Sequence, residues 1–455
     1  MASAAEQLAA NVSWSSFSKA KELKQRLLFA LGALLVYRLG TYIPMPGIDP
    51  VQLEALFNNN RTGILGQLDL FAGGAVSRMS IFALSIMPYI SASIIMQLAS
   101  AMFPTLEALK KEGESGRKKI NQYTRYLTVL LALVQSYGIA VGLESINGSP
   151  VIDPGYFFRL QAVITLTGGT LFLMWLGEQI TARGIGNGIS LIIFVGIVAN
   201  LPGALYLLME LGRTEDKYGM VFGVIIMVVA AILFIVFMER AFRKVLVQYP
   251  KRVVGNKQFQ GDSQHIPLKL NTSGVIPAIF ASSILLVPST LSGLGTASGS
   301  DWMVFLTTAL GRGQPLFLVI FAALIIFFAF FYTAIVFNPA ETADNLKKQG
   351  GFVPGIRPGK QTSDYLDYIL TRLTTVGACF LALVCVIPEI LVTRVGVSFL
   401  FGGTSILIVV SVTIDTVGQI HSHLVAQQYE SLIEKSKLRS TAKFRDTKSK
   451  KKGRK

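Results

Sequence analysis

Apolar residues in this chain run together in blocks of about twenty, separated by polar connections, instead of alternating with polar ones. Only helices or closed barrels satisfy every backbone group in lipid, and blocks this long predict helices. The pattern places spans at roughly 23–43, 79–102, 127–143, 160–180, 189–211, 220–238, 275–291, 316–337, 373–390 and 405–424. Between the first two lies GILGQLDLFAGG at residues 63–74, too short to cross and partly apolar, which fits a re-entrant or half-helix segment. Pro88, Pro202, Pro277 and Pro288 fall inside spans, where a neighbour or a cavity can satisfy the freed carbonyl.

The polar connections orient the spans. Lys and Arg crowd every second one: the leader with Lys19, Lys21, Lys24 and Arg26, the second loop from Lys110 to Arg125, and the sixth from Arg240 to Lys269. The eighth loop follows from Lys347 to Arg372, then the tail after Leu424. The alternate loops hold little more than Arg61, Arg159 and Arg394. Cytoplasmic loops collect Lys and Arg, so an even number of spans with both termini cytoplasmic is expected. Ten spans make two five-helix halves of opposite orientation, as in inverted repeats, with the short polar loop 212–219 as their joint.

Composition agrees with a membrane domain. Only 15% of the 455 residues are charged, against about 25% in soluble proteins. The first apolar run starts near Leu23 behind a polar leader with no small-residue cleavage site after it, so no cleavable signal peptide is expected. The net charge of +16 is concentrated in the basic loops and tail. The tail is low in complexity and suits anionic lipid or RNA. Cys379 and Cys385 share one apolar run and read as buried small hydrophobes.

Enzyme signals are weak. Gly184, Gly186 and Gly188 join two apolar runs with no preceding strand, so they read as a tight turn rather than a phosphate loop. The stretch from Gly355 to Gly359, Lys360 and Gln361 is one residue short of a nucleotide loop and lacks its Ser or Thr. His421 and His423, two apart on a helix, make a poor metal pair, and neither metal nor cofactor is expected. Arg38, Glu178 and Asp415 are the clearest charges inside spans, the first two near enough to an end to snorkel. The long loops exceed what orientation needs, and loops of that length are usually functional. In the eighth, Gly350, Gly351, Pro354, Gly355, Pro358 and Gly359 shape defined turns around Arg357, which suits docking of a large partner.

Seven stretches then identify a family. YRLGTYIPMPGID (37–49), FAGGAVSRMSIFALSIMPYISASII (71–95), KKEGESGRKKINQYTRY (110–126) and FLMWLGEQITARGIGNGIS (172–190) come first. HIPLKLNTSGVIPAIFASSIL (265–285), FNPAETADNLKKQGGFVPGIRPGKQT (337–362) and GGTSILIVV (402–410) follow in the same order. From about Leu23 to Glu430 the chain resembles the bacterial SecY family, the channel subunits of the Sec protein translocon.

The resemblance implies an all-α membrane protein: ten transmembrane helices in two pseudo-symmetric, inverted five-helix halves, a clamshell around an hourglass channel. The implied organisation is a leader at 1–22, one half at 23–211 with a plug near 63–74, and a hinge at 212–219. The second half follows at 220–424 with basic loops 239–270 and 338–372, then a tail at 425–455. By motif the pore ring is Ile86, Ile90, Ile189, Ile193, Ile279 and Ile408. Ile86 with Ile90, and Ile189 with Ile193, share a helix face by spacing. The plug is Ile64, Leu65, Leu68, Leu70 and Phe71, and the lateral gate Ser91, Gln135, Ser282 and Ser283. Docking of the SecA motor or a ribosome falls to Arg243, Lys244, Lys251, Arg252, Arg357 and Lys360.

The implied partners are SecE and SecG in a heterotrimer, with SecD, SecF and YidC as accessories, and secretory preproteins, nascent membrane proteins and lipids. The implied activity is passive conduction of unfolded polypeptide across the bacterial inner membrane, with lateral release of hydrophobic segments and no catalysis. A solute transporter of ten inverted helices is the main alternative. It should carry polar or charged groups at its midplane, where this sequence has aliphatics.

Overall fold

The computed structural model of the chain describes residues 21–49, 52–53, 69, 72–145, 150–214, 218–249, 252–254, 257–259, 263–295, 314–395 and 402–452. In chain order the helices are α1 (Lys21–Gly40), α2 (Met87–Met102), α3 (Pro104–Lys111), α4 (Glu114–Ser145), α5 (Tyr156–Arg183), α6 (Gly188–Thr214) and α7 (Tyr218–Arg240). Strands β1 (Phe242–Gln248), β2 (Arg252–Val254), β3 (Lys257–Phe259) and β4 (Ser263–Lys269) follow. Helices α8 (Ile276–Gly295), α9 (Pro315–Val336), α10 (Pro339–Gln349), α11 (Lys360–Val395) and α12 (Gly403–Lys452) complete the order.

Among the described residues seven helices are long and apolar enough to cross a bilayer, or eight if α2 and α3, bent by 98° at their junction, count as one span. Of the expected spans, α1 and α8 are helices outside that set. Lys21, Glu22, Lys24 and Arg26 dilute the first turns of α1, and the short apolar stretch of α8 runs Ile276–Leu285. Burial on α7 reverses that of a soluble helix. Val221–Arg240 is apolar along almost its whole length, yet Phe222, Leu233 and Phe237 are at least 65% exposed. An apolar surface of that kind is at home in lipid tails.

Two expectations are corrected here. The chain is not all-α: the sixth loop holds two antiparallel pairs, β1 with β4 and β2 with β3. Val245 and Val247 are buried two apart on β1, the period of a strand with one covered face. The second span begins at Met87 rather than Met79. Met79 and Ser85 have φ of 44° and 51°, outside the helical range, and the chain between them forms turns. Tertiary bonds hold that conformation: the Ile81 N–H donates to the Ile43 carbonyl, and Pro44 bridges to Ser80. Pro88 and Pro277 therefore sit in first turns, where a missing N–H costs nothing. Pro202 and Pro388 lie inside α6 and α11.

The chain divides into two compact units. The first is Met1–Arg38, Trp175–Ile192 and Val412–Lys455. Its core joins Leu23, Leu27, Ile185, Ile420 and Leu424. The Gly184–Gly188 stretch is a turn, fixed where the Gly186 N–H donates to Gln419 Oε1 and the Gly188 N–H to Thr181 Oγ1, both at 2.8 Å.

The second unit is Leu39–Met174 and Ile193–Ser411. In it α8 packs on α2, α4 and α9, and α11 on α9 and α10. One of its cores gathers Met45, Met79, Leu84, Leu143, Phe158 and Leu166. Another joins the two basic loops into a single body. Val245, Val247 and Leu268 of the β1–β4 pair pack with Leu346, Val353, Leu366, Ile369 and Leu370. Gln248 and Phe352 seal the join with reciprocal backbone hydrogen bonds of 2.8 and 3.0 Å.

Candidate functional site

The second unit encloses a small cavity lined by Ser85, Ile86, Met87, Ile90, Ile193, Ile279 and Ile408. Ile86 caps α2 and Ile90 lies one turn in, its N–H bonded to the Ile86 carbonyl at 3.1 Å. Ile193 comes from α6, Ile279 from the first turn of α8 and Ile408 from α12. Five side chains from four separate segments of the chain thus converge on one point. Ile86 and Ile408 are 1% exposed and Ile193 is 5% exposed, so they are held by surrounding structure rather than free in a pore. The cavity measures about 10 Å³, room for roughly one water. Aliphatic walls give such a water no partner, which favours a dry constriction. The sixth ring candidate, Ile189, belongs to the other unit and lies against Gly177 of α5. Ser85 and Met87, which the motif reading passed over, line the cavity because they flank Ile86 on the turn that starts α2.

The plug candidates Ile64, Leu65, Leu68, Leu70 and Phe71 lie outside the described residues. The end of that segment is defined by Asp69, which sequence reasoning did not single out. Its Oδ1 accepts from the backbone N–H of Val76 at 2.9 Å and of Ser77 at 2.8 Å. Its own carbonyl accepts from the Gly74 N–H and, at 3.4 Å, from the Asn200 amide of α6. One carboxyl thereby closes the loop that leads to the cavity. Burial pushes the Asp69 carboxyl above the ordinary carboxylate value, although the hydrogen bonds from Ser77 and Val76 and the charge of Arg78 pull it back. An Asp seven and eight residues before its donors carries no short-range sequence signal.

The gate candidates sit on helices that pack together: Ser91 on α2, Gln135 on α4, Ser282 and Ser283 on α8. Ser282 and Ser283 both donate to the Ile279 carbonyl of their own helix, at 2.9 and 2.8 Å. Their polarity is satisfied locally, the usual solution for hydroxyls on a buried helix face.

Among the docking candidates, Arg243 and Lys244 are exposed on β1, and Arg357 and Lys360 on the segment joined to it. Gly355 and Gly359, with φ of 82° and 108°, make the turns on either side of Arg357. Thr362 Oγ1 anchors the Arg357 carbonyl at 2.9 Å while Ile356 packs on the loop core. The guanidinium is therefore presented outward from a fixed backbone. Lys251 lies outside the described residues, and Arg252 is defined only as part of β2.

The charges inside apolar runs divide further. Asp415 is exposed on α12, while Arg38 and Glu178 are half-buried. Glu389, 5% exposed on α11, is a buried carboxyl that the sequence reading overlooked. Cys385 is buried as expected, but Cys379, on another face of α11, is exposed. Among the described residues no cluster of His, Cys, Asp and Glu could hold a metal.

The SecY family model matches residues 80–417, which include every cavity-lining residue. The protein translocase subunit SecY of Rickettsia conorii is 54% identical over 431 residues, covering 93% of this chain and 99% of that one. Among solved structures, a protein-conducting channel superposes with a TM-score of 0.64 at 16% identity, covering 88% of this chain and 92% of the other. Sec61 of a canine ribosome–channel complex from the endoplasmic reticulum superposes with a TM-score of 0.61, also at 16% identity and the same coverage.

Proposed function

This chain belongs to the SecY family of protein translocase subunits, and from that premise we propose that it is the passive pore of a Sec translocon. It spans the bacterial inner membrane ten times, in two inverted halves at 23–211 and 220–424, with both termini and both basic loops cytoplasmic. Unfolded polypeptide passes through the constriction, and hydrophobic segments leave sideways where α2 and α4 meet α8 and α9. SecA or a translating ribosome docks on the basic loop body and supplies the energy. SecE and SecG complete the heterotrimer. The ribosome-bound Sec61 relative supports the docking reading by analogy of fold.

The observation that carries the proposal is the convergence of Ile86, Ile90, Ile193, Ile279 and Ile408 on one apolar cavity. Aliphatic side chains offer ions no ligand and deny water a hydrogen-bonded column, so the channel seals while idle. They also yield to a passing chain without binding any one sequence. Ile189, near the start of α6, keeps its motif assignment to the ring, and residues 63–74 are the plug that covers it.

The test is ion flux through the idle complex in vesicles. Changing Ile86, Ile193 and Ile408 together to Asn should raise leakage well above any single change, because Asn supplies donors and acceptors at the narrowest level. Deleting residues 63–74 should add to it. Unchanged conductance in the folded triple variant would reduce these isoleucines to ordinary core.

A further inference from the structure

The junction between the basic loop body and α8 is built as a rigid elbow. The β1–β4 pair ends where the Leu270 N–H donates to the Ala241 carbonyl at 3.0 Å. The next residues, 271–275, are neither strand nor helix, and α8 starts at Ile276. Left to itself, such a stretch would act as a hinge between the two.

Asn271 removes that freedom. It is 4% exposed, and its carboxamide is fully engaged. Its Nδ2 donates to Glu239 Oε1 at 2.8 Å and to the Gly274 carbonyl at 3.1 Å. Its Oδ1 accepts from Ser273 Oγ at 3.1 Å. Glu239 is in the last turn of α7, just before the chain enters β1, so one side chain ties the entry of the hairpin to its exit and to the approach to α8. The bond to a carboxylate is charge-assisted, hence stronger than an amide pair.

Two neighbours close the remaining directions. Thr333 of α9 donates its hydroxyl to the Ala329 carbonyl, so in the 3.5 Å pair with Thr272 it is the acceptor. A Cβ on Gly377 of α11 would stand 2.9 Å from the Leu270 carbonyl, so that helix backs directly onto the joint.

We infer that Asn271 is a positioning residue: its carboxamide makes the basic hairpin and α8 move as one body, so a partner seated on the hairpin displaces Ile279, Ser282 and Ser283. The inference rests on the docking and gate reading above and adds the link between them. Asn271 touches neither partner nor substrate. It acts through α8.

The experiment uses the complete complex in nanodiscs, with spin labels at Gln135→Cys on α4 and Ser282→Cys on α8, and the docking motor or ribosome as probe. In the labelled parent, docking should lengthen the distance. With Asn271→Ala, partner affinity should stay within about twofold while the distance change falls to less than half. Asn271→Asp sets two carboxylates against each other and should also lose the response. Adding Glu239→Gln restores a donor–acceptor pair of reversed direction across that contact, though not the bond to the Gly274 carbonyl, and should recover part of the response. A full response in Asn271→Ala, or no recovery in the paired variant, overturns the inference. If Asn271→Ala does not fold, the Asp–Gln pair carries the test alone. If the labelled parent shows no change on docking, the docking and gate reading falls and takes the elbow with it.

Discussion

The isoleucine cavity and the basic loop body are both assembled from distant segments of the second unit, yet they are opposite solutions. At the cavity, Ile86, Ile90, Ile193, Ile279 and Ile408 have no polar atoms on their side chains, and these five meet by packing. In the loop body, strand pairing, reciprocal Gln248–Phe352 bonds and the Thr362 anchor fix the backbone, and charges point outward from it. On the function proposed above, a seal that must part for any passing chain is best made of interactions without direction. A surface that must hold one partner in one orientation needs directed bonds beneath it and charge above it. The two should therefore fail separately.

The strongest test of that separation is Leu366→Ala. Leu366 is 0% exposed at the centre of the loop core, and such a truncation costs about 2–5 kcal/mol. Amide exchange in β1 and β4 should rise and partner binding should collapse, while idle ion leakage stays at the parental level. Leakage that rises in step would mean that the loop body also holds the constriction shut.

Next in size is Arg357→Glu. The side chain is exposed, so thermal stability should not move, while partner-driven transport should fall by roughly tenfold at low ionic strength and less in high salt. Parental transport with parental partner affinity would remove Arg357 from the docking surface.

The smallest effect belongs to the loop closed by Asp69, the polar approach to the apolar cavity. Burial leads the forces on its carboxyl and raises it above the ordinary value. A carboxyl raised in the folded state stabilises fully below its ordinary pKa, and that contribution is lost as pH rises through the raised value. After correction for intrinsic exchange, the Val76 and Ser77 amides should be better protected at acid pH, and Asp69→Asn should abolish the dependence. A flat profile in the parent would show that the loop is held without that proton.

The helices were legible because an apolar run of that length satisfies its backbone best as a helix, and each expected run falls on one of α1, α2, α4 to α9, α11 and α12, although among the described residues only seven or eight are long and apolar enough to cross a bilayer. The start of α2 was not. Neither Met79 nor Ser85 is of a type that favours positive φ, and the pairing of this stretch with Ile43, Pro44 and Met45 is seen only in the fold. The cavity residues are ordinary isoleucines one at a time. Spacing linked Ile86 to Ile90, but joining them to Ile279 and Ile408 needed either the family motifs or the fold. The loop body hid for another reason. Charge and turn residues marked both loops, while the alternation of Val245 and Val247 was too short to stand out and its covering partner lies far along the chain.

That separation sets an order on biosynthesis. The apolar face of the β1–β4 pair is complete once Lys269 has been made, but Leu346, Val353 and Leu366, which cover it, come roughly eighty to a hundred residues later. At roughly 5–20 residues per second, the ribosome leaves that face uncovered for about 5–20 s. During that interval α8 and α9 are being made while the sheet still lacks its lid. The chain therefore cannot complete this core as the sheet is made. Its loop body closes late, when the segment around Phe352 arrives to pair with Gln248.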